Sequence, residues 1–141
     1  MNFKLWLERL DEGEMQLVQR FDKLYPKAGN MVDGRRVLSN IDNQSSISAS
    51  LEDYYILPGV RDFPIYDFSG KAGYYSVSDH KRVDVLMQQI ERSRSISPII
   101  IAEEKNGPYI IEGGHRMAAL VELKAVSIPA LIVIDFESFL G

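Results

Sequence analysis

Residues 107–130 constrain the fold more than any other part of this chain. Gly107-Pro-Tyr-Ile-Ile-Glu112 reads as an apolar strand. It runs without a spacer into Gly113-Gly114-His115-Arg116, which opens an Ala-rich helix at Ala118-Ala119. A strand, a glycine turn and a helix in immediate succession aim backbone N–H groups and the positive end of a helix at one point. With a fixed cation beside it, that point suits an anion such as phosphate.

The flanking segments extend this into a fold. Pro98–Ala102 is a continuous apolar run, the pattern of a strand covered on both faces. Asn106-Gly107 is the strongest turn dipeptide in the chain, so Pro108–Ile111 is the expected return strand of a hairpin. Gly114–Lys124 is the expected helix and Ile128–Ile134 the last strand. Upstream, Tyr54–Leu57 and Phe63–Phe68 read as short strands about the Pro58-Gly59 turn. Ser78 and Asp79 are N-cap candidates for a helix reaching about Ser93, in which Val83, Leu86, Met87 and Ile90 follow the i, i+3, i+4, i+7 template. The order strand, helix, hairpin, helix, strand predicts a mixed sheet with helices packed on it, the α+β class.

The first part of the chain is less explicit. Phe3, Trp6, Leu7, Leu10, Leu17, Val18, Phe21 and Leu24 have helical spacing along one stripe, with Gly13 placed to split or bend the helix. That stripe is either packed on the domain, or offered to a protein partner or an oligomer seam. Residues 26–53 are weakly patterned; Pro26, Gly29, Gly34 and the polar run Ser39–Ser50 read as loop, with one short helix near Ser48–Tyr54. We therefore expect an N-terminal helical and loop extension over 1–53 and an α+β domain over 54–141.

Composition removes several classes of function. With no cysteine among 141 residues, disulfide scaffolding, thiol catalysis and Cys-ligated zinc are excluded, and two histidines (His80 and His115) argue against a His-rich metal site. A net charge of −4 argues against a general nucleic-acid coat protein, since non-specific binding rests on neutralising phosphates. The local candidates for such contacts are Lys81, Arg82, Arg92, Arg94 and Arg116. The N-terminus carries charges too early for a secretory leader, and no apolar run reaches about 20 residues. The expectation is a soluble, cytoplasmic chain with no membrane partner.

Three segments together resemble the ParB/sulfiredoxin superfamily over about Tyr55–Asp135. They are Asp79-His80-Lys81-Arg82-Val83 with the later Pro98-Ile99, the turn Glu112-Gly113-Gly114-His115-Arg116, and Ser127-Ile128-Pro129-Ala130. Sulfiredoxins carry a Gly-Cys-His-Arg turn whose cysteine does the chemistry. Gly114 stands at that cysteine position, which rules the chemistry out and leaves the phosphate-holding pair His115–Arg116. Partition-type ParB proteins carry Gly-Glu-Arg-Arg, bind CTP and continue into a helix-turn-helix domain. ParB-like free-serine kinases carry Asp-Gly-His-His-Arg, to which Glu112–Arg116 is similar with one histidine lost. Other members of the superfamily are described as nucleases.

Residue by residue, Gly113 is expected to supply a conformation closed to other residues, and Gly114 to expose the first free N–H groups of the helix or simply to cap it. Arg116 is a cation at the wrong end of a helix dipole, so either an anion or a carboxylate such as Glu112 should face it. His115 is placed to donate to a phosphate or protonate a leaving oxygen, or to serve as a hydrogen-bonded structural group. Glu112 is a candidate general base or Mg²⁺ ligand. The resemblance adds Arg82 and Ser97, or Ser95, as nucleotide contacts, while Arg82 equally reads as a solvated helix charge. Arg61-Asp62 is either near the site or on a surface loop. The first reading is a protein that binds ATP or another nucleotide and transfers or hydrolyses a phosphoryl group with Mg²⁺, using Glu112 and His115 catalytically. The alternatives are a ParB-like nuclease or nucleic-acid binder, and a non-catalytic nucleotide-sensing or protein-interaction module.

Overall fold

The computed structural model of the chain describes residues 10–28, 31–32, 37–39, 51, 53–65, 77–93 and 95–141. The expected apolar positions Phe3, Trp6 and Leu7, the run 40–50 and the strand end at 66–68 lie outside the described residues.

Helix α1, Glu12–Leu24, starts at a capping box: the Glu14 amide donates to Asp11 Oδ1 at 2.7 Å, and the Asp11 amide to Glu14 Oε1 at 3.1 Å. The helix begins at the Asp11 cap, so the expected stripe is interrupted at Leu10-Asp11, just before Gly13, which falls in the first turn. Leu17, Val18 and Phe21 are buried, but Leu24 is 55% exposed and Tyr25 takes its place in the core. The helical phase itself accounts for this: Tyr25 falls nearer the centre of the face made by Leu17, Val18 and Phe21, and Leu24 falls at its edge.

Two short strands, β1 Met31–Val32 and β2 Val37–Ser39, lie in the stretch read as loop. Strands of two and three residues are too short to show a period-two pattern, which is why the sequence hid them. They form a small sheet with β5, Ser95–Ile96, which runs parallel to β2. Of the short helix expected over Ser48–Tyr54, the described part is a turn closed by the Tyr54 amide on Leu51 O at 3.1 Å.

The main sheet is mixed. Strands β3 (Tyr55–Ile56) and β4 (Arg61–Pro64) pair in succession along one edge of the central strand β8 (Ser127–Ile134), both antiparallel. On its other edge β8 pairs parallel with β6 (Ile99–Glu104), which forms a hairpin with β7 (Gly107–Glu112). Every residue of β8 after Ser127 is buried, as are Ile99–Glu103 of β6. Ile99, Ile101, Ala130, Ile132 and Ile134 face the helices, while Ile100, Ala102, Leu131 and Val133 form a second cluster with Val60 on the opposite face. Burial on both faces accounts for the uninterrupted apolar runs.

Helix α2, Val77–Ser93, buries Val83 and Ile90 and packs against α3, Gly114–Glu122, whose buried residues are Met117–Leu120. Helix α2 already includes Val77, one residue before the expected cap at Ser78. A terminal helix α4, Phe136–Leu140, capped by Asp135, was not anticipated; Phe139 meets Phe21 at 5.9 Å and Phe136 meets Tyr55 at 5.5 Å. The α+β class is therefore the observed architecture, and α1 shares its core. Among the described residues no helix is long and apolar enough to cross a membrane.

Arg61 is neither near the glycine turn nor on a surface loop. Only 2% exposed, it donates through Nε and Nη2 to Pro58 O (3.0 and 2.7 Å) and through Nη1 to Tyr25 O and Asp22 O (3.0 and 3.3 Å), and it ion-pairs with Asp22 Oδ1 at 2.7 Å. A buried cation thus sits on the C-terminal carbonyls of α1, where the dipole favours it, and ties that helix to the Pro58-Gly59 turn. Arg61→Leu is expected to lower stability by about 3–5 kcal/mol, because it strands these groups without a donor. Asp22→Asn, at a carboxylate 58% exposed, is expected to cost under about 1 kcal/mol. Urea midpoints at unchanged slope would check both.

The neighbouring Asp62 is half-buried, and burial raises its carboxyl above the ordinary 3.8. The native state therefore holds this proton more readily than the unfolded chain. The associated stability is present below 3.8 and lost as pH rises through the native value. Asp62→Asn is expected to raise stability at pH 7 by under about 1 kcal/mol, with no gain at pH 3, in parallel urea titrations.

Candidate functional site

The strand-to-helix turn is set by one glycine. Gly113 has φ 107° and is the N-cap of α3. A Cβ built there would overlap Ile99 Cγ2 and lie 2.7 Å from Ile99 Cβ, so the first residue of β6 is packed directly onto the turn. Both conformation and space demand glycine. Just before it, the β6–β7 register slips: Ile101 faces Ile110 but Ile100 faces Glu112, leaving Ile111 as the extra residue. Such a bulge re-aims a strand end, here the end that delivers Glu112 and the turn.

Gly114 is different. It is exposed, and a Cβ there would meet nothing within 4 Å. No side chain caps α3 and no acidic residue lies in its first turn. The helical ladder begins with the Met117 amide on Gly113 O at 2.9 Å, so the amides of Gly114, His115 and Arg116 precede it. His115 is half-buried in that turn.

Arg116 resolves its conflict with the helix dipole in a way the sequence did not suggest. Its Nη1 donates to Ser97 O at 3.0 Å and to Pro98 O at 2.8 Å, so two backbone carbonyls face it. Among the described residues its Nε and Nη2 have no acceptor. Burial disfavours its charge and lowers its pKa, and the Glu112 carboxylate opposes that. A guanidinium stays protonated regardless, so the physical meaning is a poorly hydrated cation.

A recess of about 290 Å³ opens beside this cation, lined by Leu86, Gln89, Ile90, Ser93, Ile96, Ser97 and Arg116. The structure thus brings Glu112, Gly113, Gly114, His115, Arg116 and Ser97 together, with Ser97 contributing its carbonyl to Arg116. Arg82 is exposed on α2, one turn before Leu86, and does not line the recess. Gln89 and Ser93 do, and sequence reasoning missed them. The signal was their one-turn spacing at the polar edge of the Val83–Ile90 stripe. Among the described residues no group of three or more His, Asp or Glu could hold a metal ion.

A strand is handed to a helix through this turn within a mixed sheet backed by helices, an α+β domain. The model of the ParB N-terminal domain family matches residues 60–138, more than half of the chain. The chain belongs to the ParB N-terminal domain family, a membership that points to a role related to nucleic acid or nucleotide. No curated protein matches the sequence.

The two glycines should respond oppositely to one substitution. Gly113→Ala is expected to cost about 3 kcal/mol or more through the positive φ and the overlap with Ile99. Gly114→Ala, with open space and no positive φ, is expected to gain about 0.4–1 kcal/mol by restricting the unfolded chain. Equilibrium unfolding of both variants checks this.

Proposed function

We propose that the turn Gly113–Arg116 binds the phosphates of ATP or another nucleotide and that the protein transfers or hydrolyses a phosphoryl group with Mg²⁺. The observation that carries this is the first turn of α3: uncapped, free of acids, and opened by an exposed glycine beside a poorly hydrated arginine. In this reading the amides of Gly114 and His115 and the His115 ring meet the phosphates. Arg116 holds the turn through Nη1 and faces the recess, and Ser97 fixes it in place. Magnesium would come with the phosphates and take Glu112 as one oxygen ligand, the mode that ion favours over an all-protein cage. Glu112 is alternatively the base and His115 the acid for the transfer. Arg82 joins as an outer contact for the rest of the nucleotide.

A second reading, nucleotide sensing without turnover, is favoured by one observation: Glu112 is the one carboxylate that the described residues place on the turn. Lys81, Arg82 and Arg92 are exposed on α2, but so are Asp84 and Glu91 between them, which weakens α2 as a nucleic-acid surface.

Thermal denaturation with ATP, ADP, CTP and GTP, with and without Mg²⁺, tests the site on wild type and Gly114→Asp. At a hundredfold excess over Kd, binding adds about 2.7 kcal/mol, several degrees for a chain of this size. The new carboxylate suits the helix dipole, so the unliganded variant should melt no lower than wild type, yet it should abolish the nucleotide-dependent rise. No rise with any nucleotide, or a rise that survives Gly114→Asp, would refute the reading. Phosphate release in the same samples separates the enzyme from the sensor.

A further inference from the structure

We propose that the cavity between α1 and the β3–β4 turn is a second ligand site, which takes a small organic carboxylate with an apolar body. The cavity holds about 350 Å³ and is lined by Met15, Val18, Gln19, Asp22, Lys27, Leu57, Pro58 and Arg61. That volume is at the lower end of the range for ligand pockets, about 300–1,000 Å³, and suits a single ring or a branched chain. Met15, Val18, Leu57 and Pro58 supply apolar walls.

The charges select the sign of the ligand. Asp22 and Arg61 offset each other in their ion pair, and the guanidinium is further engaged by the carbonyls of Pro58, Asp22 and Tyr25. Lys27 leaves the lining with one net positive charge, and among the described residues it makes no ion pair. Its position is built in. Gly59 adopts φ 82°, and a Cβ there would lie 3.7, 3.8 and 3.9 Å from Lys27 Cε, Cδ and Cγ. The lysine stem lies along the bare glycine, next to the β-bridge between Lys27 and Arg61, and Lys27, itself exposed, lines the mouth of the cavity. A lysine at the mouth of an apolar cavity, with the one carboxylate of the lining already ion-paired, favours an anion over a cation.

NMR titration of the full chain with three ring compounds of one size tests this: phenylacetate, phenylacetamide and phenethylamine. Phenylacetate should perturb the amides of Met15, Val18 and Leu57 saturably. Phenylacetamide and phenethylamine should bind at least about tenfold more weakly, the usual worth of a charge-assisted hydrogen bond. Lys27→Gln keeps the stem and should reduce phenylacetate to the level of the amide while leaving the amide unchanged. N-acetylphenylalanine separates the sources of such a carboxylate: binding with phenylacetate's affinity points to a peptide C-terminus, and its failure to bind points to a free acid. Saturating ATP should leave the titration unaltered. Equal binding of the three compounds, no saturable change, an unchanged affinity in Lys27→Gln, or competition by ATP would overturn the proposal.

Discussion

Ile99 presses against a residue that has no side chain, and much of the molecule is arranged around that contact. Because Gly113 gives way, the first residue of β6 and the first turn of α3 occupy adjacent space. The Arg116 guanidinium can then reach back to the carbonyls of Ser97 and Pro98, immediately before that strand. Turn, strand and helix thereby become one rigid unit. The recess beside α2 and the uncapped helix end are by-products of how closely these three pieces approach. Any larger residue at position 113 would separate them and remove both features together.

Buried Arg61 and half-buried Arg116 follow one physical rule. Each loses part of its water and is held by main-chain carbonyls, with Asp22 the one carboxylate in contact at Arg61 among the described residues. Carbonyls at a helix end or at the start of a strand are fixed dipoles that cost no side-chain entropy to orient. Arg61 uses them to fasten α1 to the sheet, and Arg116 uses them to fasten the sheet to α3. A planar fork with several donors can bridge carbonyls in this way, whereas a lysine ammonium would satisfy them less specifically.

The sequence carried the parts of this structure that depend on periodic burial. The runs Ile99–Ala102 and Ile128–Ile134 are apolar because both sheet faces are covered. The Val83–Ile90 stripe is spaced at 3.6 residues because one face of α2 is covered. Gly113 was legible too, since a strand that becomes a helix in one step needs a left-handed residue. What stayed hidden depended on side chains meeting across the chain. Nothing local tells that Arg116 would find carbonyls 18 and 19 residues upstream, or that Arg61 would serve α1 36 residues before it. The strands β1 and β2 were hidden for the opposite reason, being too short to carry a pattern. The helix α4 had a capping signature in Asp135 and Ser138, but at one and a half turns it had no room for a stripe.

The carbonyl clamp on Arg116 has a consequence for how the turn meets its surroundings. A salt bridge loosens when its carboxylate gains a proton and weakens as ions accumulate around it. An amide carbonyl does neither across the range in which proteins stay folded. The hold of Arg116 on Ser97 and Pro98 is thus made by acceptors that neither take up protons nor gather counterions.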